Sequence, residues 1–404
     1  MTFYSNRREF LGQTISLAGL SVIAQIPLSA MRNRGSGADA VKPDTLILLQ
    51  LSGGNDGLSS VIPYADDAYA SARKATRFTK DEVLSINDYV GLHPELQFMS
   101  DEYSEGRLSI VQGVGYPNPN RSHFKSMDIW HSASEDGRAV KSGWIGRVSE
   151  ALMKAKVNSE RVVHVGGSLP FSLHSNASPA VSFIEPESYR WLGNEAEMTD
   201  LAEEFGKQAK GGALDHLRGV MRDASASSRR IRDAAAGYET TVEYPNGRLA
   251  SSLRTAAALV KSDLGCRVIS LEQGGYDTHQ NQRGTHSRQM SDLDRGLKAF
   301  REDLGESDAR GRTVIAIFSE FGRRVVENAS GGTDHGTAGP MFVMGDGASG
   351  GLHGKHPSLV ERDGDDLIFT TDFRSVYATL IEKLFSLDSI PVLGASYEQL
   401  NLLG

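Results

Sequence analysis

Six short apolar runs recur along the chain, and their character limits the fold more than any other feature: Thr45–Leu51, Leu108–Gly113, Val162–Val165, Cys266–Leu271, Thr313–Phe318 and Pro340–Met344. They are continuous rather than alternating, and the first stops at Ser52-Gly53-Gly54. Such runs predict strands buried on both faces, the habit of parallel sheets. Helical patterns lie between them. Leu293, Leu297, Phe300 and Leu304 form a stripe at helical spacing, and Ser375–Phe385 predicts another helix with Thr371 and Asp372 available as caps. Strands alternating with helices predict a layered α/β fold with a mainly parallel central sheet. Residues 199–262 are rich in Ala, Arg and Glu and predict a helical insertion rather than a second domain.

In open α/β sheets, ligands sit at the carboxyl ends of the strands. The segments at that edge are polar in a consistent way. They read Gly53-Gly54-Asn55-Asp56-Gly57, Asn118-Pro119-Asn120-Arg121-Ser122-His123, Glu272 through His279, Ser319-Glu320-Phe321-Gly322-Arg323, and Thr333-Asp334-His335-Gly336-Thr337 before the last strand. Each motif alone also reads as a turn or a helix cap. Together they bring carboxylates and imidazoles to one edge without thiols. That donor chemistry suits Zn²⁺ or Mn²⁺, or Ca²⁺ or Mg²⁺ where the histidines contribute less. Asp277 and His279, two residues apart on an extended loop, would point the same way and could grip one ion. Cys266 is the only cysteine, so no intramolecular disulfide or cysteine zinc site is available.

Ser122 follows a turn, and Phe124, Met127 and Trp130 then recur at helical spacing. Ser122 is therefore expected at a helix N-terminus, where it can cap the helix or serve as a nucleophile beside the Arg121 cation. The net charge of −8 argues against a general nucleic-acid binder but leaves room for a small anionic substrate.

The first thirty residues read as an address. Asn6-Arg7-Arg8-Glu9-Phe10-Leu11 precedes a modestly apolar stretch, and Leu28-Ser29-Ala30 offers a small residue for cleavage. Paired arginines followed by Phe-Leu resemble a twin-arginine signal. The implied organisation is a signal peptide over 1–30, a tether over 31–43 and one domain over 44–404. The implied partner is the twin-arginine translocase, and the implied location is periplasmic or secreted. No other segment is apolar enough to span a membrane, so no transmembrane anchor is expected after cleavage.

The order Asp56, Ser122, Glu272/Asp277/His279, Glu320, His335 resembles the ligand order of the alkaline phosphatase and sulfatase superfamily. More closely, the chain resembles the bacterial family called domain of unknown function 1501. The shared motifs run from Gly53-Gly54-Asn55-Asp56-Gly57 and Leu92-His93-Pro94 to Gly275-Tyr276-Asp277-Thr278-His279 and Thr371-Asp372-Phe373-Arg374. The resemblance implies an alkaline-phosphatase-like fold and an exported, metal-dependent hydrolase of phosphate or sulfate esters. In that reading Asp277, His279 and His335 hold one ion. Asp56 and Glu320 hold a second where one is present, the number of ions being one or two, with Asp334 in or near the site. Ser122 is the nucleophile and Arg121 holds the substrate's anionic oxygens. His123, His131, His353 and His356 are expected outside the ligand set. The alternative is a non-catalytic secreted binding or assembly protein that keeps the fold and one ion. Two departures from the superfamily pattern bear on this: Glu320-Phe321 stands where an Asp-His pair is usual, and no Cys/Ser-x-Pro-x-Arg run of a typical sulfatase is present.

Overall fold

The computed structural model describes residues 45–404 except 136, 138, 139, 155–160, 178, 179, 191–226, 263 and 306. The expected signal peptide, the tether and the front of the helical insertion lie outside the described residues. Of the insertion's remainder, 227–236 is helical and a second helix covers Arg248–Lys261.

Five of the apolar runs become strands β1 (Thr45–Leu51), β2 (Leu108–Gly115), β3 (Arg161–Val165), β5 (Cys266–Gln273) and β6 (Thr313–Phe318), the sixth falls in the strand Gly339–Met344, and β4 (Val181–Phe183) is a short strand that no run marked. A hairpin of β7 (Arg323–Glu327) and β8 (Thr333–His335) follows, then β9 (Gly339–Met344), β10 (Gly351–His353) and β11 (Thr371–Asp372). Among the described residues the central sheet has nine strands in the order β10-β2-β9-β6-β1-β5-β3-β4, with β11 also on β2. Every pairing in it is parallel except those of β9, which runs antiparallel to both β2 and β6. The carboxyl ends of β1, β2, β5 and β6 therefore share one edge with the amino end of β9. That places all five polar segments at the same rim.

Side chains of β1 alternate between two cores, as the pleat requires. Leu46 and Leu48 join Trp130, Trp144 and Phe373, whereas Ile47, Leu49 and Leu51 join Leu253, Leu297 and Phe300. Helices α1 (His123–Ser132), α2 (Trp144–Lys154) and α5 (Phe373–Phe385) thus cover one face, and α3 (Arg248–Lys261) and α4 (Gln282–Leu304) the other. The fold is mixed α/β with a large, mostly parallel sheet between helices. Trp130 fixes α1 by stacking between Phe318 at 5.5 Å and Phe373 at 4.4 Å. Ser122 and His123 at the start of α1 are held over the rim in consequence. Asp372 caps α5 by accepting from the Arg374 amide at 2.9 Å, as its sequence position predicts.

Candidate metal centre

Three loops and one helix start converge above the rim. Gly53 and Gly54 make the convergence possible. Both have positive φ, and a Cβ on Gly53 would lie 2.5 Å from the Asp277 amide nitrogen. The β7–β8 hairpin pairs Arg323 with His335, which folds Asp334 and His335 back over the edge. Asp277 is the meeting point. Its Oδ1 lies 3.0 Å from His279 Nε2 and 3.1 Å from His335 Nε2, and those two nitrogens are 3.0 Å apart. Bonds of 2.0–2.1 Å to a tetrahedral ion would place ligand atoms about 3.3 Å apart, so this triangle has the right size. His123 stands on the other side, with Nε2 3.6 Å from Asp277 Oδ2. His123, Asp277 and His335 form a group whose ligand atoms all lie within 4.8 Å of one another.

The second nitrogens of the rings decide what the first ones can do. His123 Nδ1 is 2.8 Å from Glu320 Oε1, His279 Nδ1 is 3.2 Å from Asp334 Oδ1, and His335 Nδ1 is 2.8 Å from the Arg121 carbonyl. A carboxylate or carbonyl oxygen only accepts, so each Nδ1 is the protonated nitrogen. The Nε2 of each neutral ring then carries a lone pair aimed toward Asp277. His123 Nε2 is buried and has no hydrogen-bond partner. Three imidazole lone pairs around one carboxylate repel one another without a cation and suit one well. Oxygen partners behind the rings are also how metal-binding histidines are usually oriented.

The electrostatics agree. Burial alone would raise the Asp277 carboxyl, but the hydrogen bond from Arg323, at 2.7 Å, and the charge of that guanidinium hold it well below its usual range. It is an anion over the whole physiological range. The Glu320 hydrogen bond raises the pKa of His123, so a bound cation at Nε2 competes with a proton there. Asp334 is held below its usual range, first by the Asn328 amide and then by His279. Half of the Asp277 side chain and 44% of His279 remain open to solvent, so the centre can be approached from outside.

The other expected site residues have different surroundings. Asp56 is fully buried and does not face the triangle's open side; both its oxygens are taken by Arg73, with Ser59 donating at 2.6 Å and Gln282 Nε2 also donating. Gln282 passes the contact on, since its Oε1 accepts from Thr278 at 3.0 Å and Thr333 at 2.6 Å. Asp56 thereby steadies the two loops that carry Asp277/His279 and Asp334/His335. Glu320 is also buried, with Oε1 accepting from the Gly53 amide and facing His123. Asp334 sits behind His279 rather than inside the triangle. Ser122 is exposed at the N-terminus of the ten-residue α1, and its hydroxyl makes no capping hydrogen bond. Arg121 is paired with Asp366 at 3.1 Å.

Sequence reasoning set His123 outside the ligand set and passed over Arg323 and Arg73. His123 could have been found from its place directly after Ser122 in the same loop. Nothing local marks the two arginines, because their partners are remote in sequence.

The sequence profile of the family described as "Protein of unknown function (DUF1501)" matches residues 43–384. The chain belongs to the DUF1501 family. No curated protein matches this DUF1501 chain. Among solved structures it is similar to the C-terminal periplasmic domain of EcEptC from Escherichia coli, at 11% identity, covering 85% of this chain and 82% of that one with a TM-score of 0.38. It is also similar to the alkaline phosphatase from the Antarctic bacterium TAB5, at 14% identity, 77% and 94% coverage and a TM-score of 0.32. A 2-O GAG sulfatase matches at 10% identity, 76% and 65% coverage and a TM-score of 0.33. At these values the likeness says nothing about the chemistry of the DUF1501 chain.

Proposed function

We propose that this protein is an exported metal-dependent hydrolase of phosphate or sulfate esters. The observation that carries the reading is the set of three imidazole Nε2 atoms turned toward Asp277 by oxygen acceptors behind each ring. Asp277, His279 and His335 would hold the ion, with His123 completing the set; the nitrogen-rich donors suit Zn²⁺ or Mn²⁺. A bound divalent ion supplies charge for a developing oxyanion and acidifies a coordinated oxygen. The chain's own groups supply the rest. Ser122 offers an exposed hydroxyl at the positive end of α1, one residue from His123. Its freedom from a capping bond favours the nucleophile reading over the cap. Free N–H groups of the first turn would hold an ester's anionic oxygens. Arg121 is held by one nitrogen on Asp366, and its remaining N–H donors can take the substrate's anionic oxygens.

The test is a panel of aryl phosphate monoesters, phosphate diesters and sulfate esters on metal-replete protein, run on wild type and Ser122→Ala. Turnover should fall more than about 10³-fold in the variant, with bound metal and melting temperature nearly unchanged. Full activity in Ser122→Ala would remove Ser122 as nucleophile; no turnover of any ester by metal-loaded wild type would favour the binding-protein alternative. Export through the twin-arginine route is the second half of the proposal and rests on Arg7 and Arg8. Replacing both by Lys should leave the precursor in the cytoplasm, because a guanidinium pair is not matched by ammonium groups. Unchanged yield outside the cytoplasm would refute it.

A further inference from the structure

The rim carries a second pair of buried carboxylates, Asp56 and Glu320, and a two-ion centre would need both as ligands. The structure shows what already occupies them. Arg73 is fully buried and all five of its N–H directions are used: Nε on the Val325 carbonyl at 3.0 Å, Nη1 on Asp56 and on Ser59 at 3.2 Å, Nη2 on Asp56 Oδ1 at 2.9 Å and on the Arg324 carbonyl at 2.9 Å. This guanidinium is anchored by carbonyls of β7 as well as by the carboxylate, so it cannot swing aside on its own. Asp56 accepts four contacts in total, three on Oδ2 from Arg73, Ser59 and Gln282 and one on Oδ1 from Arg73, so both oxygens are engaged by the same buried guanidinium. Glu320 Oε1 is occupied by the Gly53 amide at 2.9 Å and by His123 at 2.8 Å. An ion bound to Asp56 would have to displace Arg73 and leave a buried guanidinium without its counter-charge, a costly change in a protein interior.

We infer that this chain holds a single divalent ion, at Asp277, and that Arg73 stands on Asp56 where a second cation would otherwise be needed. The inference rests on the metal centre proposed above. It departs from the two-ion arrangement that the superfamily resemblance implies, and it gives Asp56 a positioning role through Gln282, Thr278 and Thr333.

Native mass spectrometry of the full chain, titrated with Zn²⁺ and separately with Mn²⁺, counts the ions directly. Wild type should saturate at one ion per chain. Asp277→Asn should weaken that ion's binding at least about ten-fold. Exchanging the buried pair for apolar groups, Asp56→Leu with Arg73→Met, should leave the saturating count at one while weakening that ion's binding, because the ligand loops lose the Gln282 contact, and this double change keeps the comparison open if Asp56→Asn alone fails to fold. Two ions in wild type would overturn the inference while leaving the metal centre standing. An ion lost with the Asp56/Arg73 pair but kept in Asp277→Asn would overturn it as well. No ion in wild type under either titration would sink the metal centre and this inference together.

Discussion

Arg323 shows how much of the centre depends on one side chain that touches no expected substrate. It is buried and donates to the carbonyls of Gly54 at 2.7 Å, Thr333 at 2.8 Å and Tyr276 at 3.0 Å, to the Gly53 carbonyl, and to Asp277 at 2.7 Å. Three loops are therefore tied to one guanidinium, and the carboxylate at the hub is kept ionised by it. Lysine keeps the charge but offers three donors on a single atom and cannot reproduce the fork. Arg323→Lys should strand buried carbonyls and destabilise the protein by about 2–4 kcal/mol. It should also weaken divalent-ion binding about ten-fold or more, since the partners that orient ligands set their affinity. Thermal melts with and without Zn²⁺ check both at once. A variant that melts like wild type and gains the same stabilisation from the ion would show that the loops hold themselves.

At the scale of elements, α4 carries more than its share. Asp303 near its end accepts from the hydroxyls of Tyr238, Thr240 at 2.7 Å and Tyr244 at 2.8 Å, and from Lys261 at 3.0 Å. Those partners lie on the segment before α3 and on α3 itself, so one carboxylate pins an irregular stretch onto the helical face of the sheet. Asp303→Ala should cost about 2–4 kcal/mol, and amide hydrogen exchange should quicken first over 238–244. Uniformly faster exchange would mean that the anchor is global rather than local. The sequence makes α4 legible through its apolar stripe, and the six strands through runs that no exposed segment would tolerate. It does not reveal the β7–β8 hairpin, because Arg323–Glu327 is short, carries three charges and has no alternation to read. Asp277, His279 and His335 could be grouped from loop chemistry at a shared edge. The Arg73 partner of Asp56 could not be read from its motif, since Arg73 sits in a stretch with no signal of its own, and the pairing appears only when β7 closes over it.

For the whole molecule, buried carboxylates impose opposing pH dependences. Asp56 is the first kind: burial pushes its carboxyl up, but the charge and hydrogen bonds of Arg73 prevail and bring it to about 2. A depressed folded-state value means stability that is present above the unfolded value near 3.8 and is lost as pH falls toward 2, on the order of 2 kcal/mol. Asp294 on α4 is the second kind. Burial raises it to about 6, against the amides of Phe98 and Met99, which donate to it at 3.0 and 2.9 Å and pull the other way; Asp101 adds to the rise and Lys298 opposes it. With a raised folded-state value, the contribution is full below about 3.8 and is lost as pH climbs through 6. The carboxyl caps the short helix Gln97–Ser104 from a neighbouring element, and the Leu96 side chain at the cap position makes no such bond. Asn at this position keeps one acceptor and no longer titrates. The difference in unfolding free energy between wild type and Asp294→Asn should therefore change by on the order of 2–3 kcal/mol between pH 4 and pH 6.5, in the direction that disfavours wild type as pH rises, and stay level between pH 7 and pH 8. Denaturant melts of both proteins across that range measure it. A flat difference would mean that Asp294 is ionised throughout, its charge held by the helix N-terminus it caps rather than suppressed by burial.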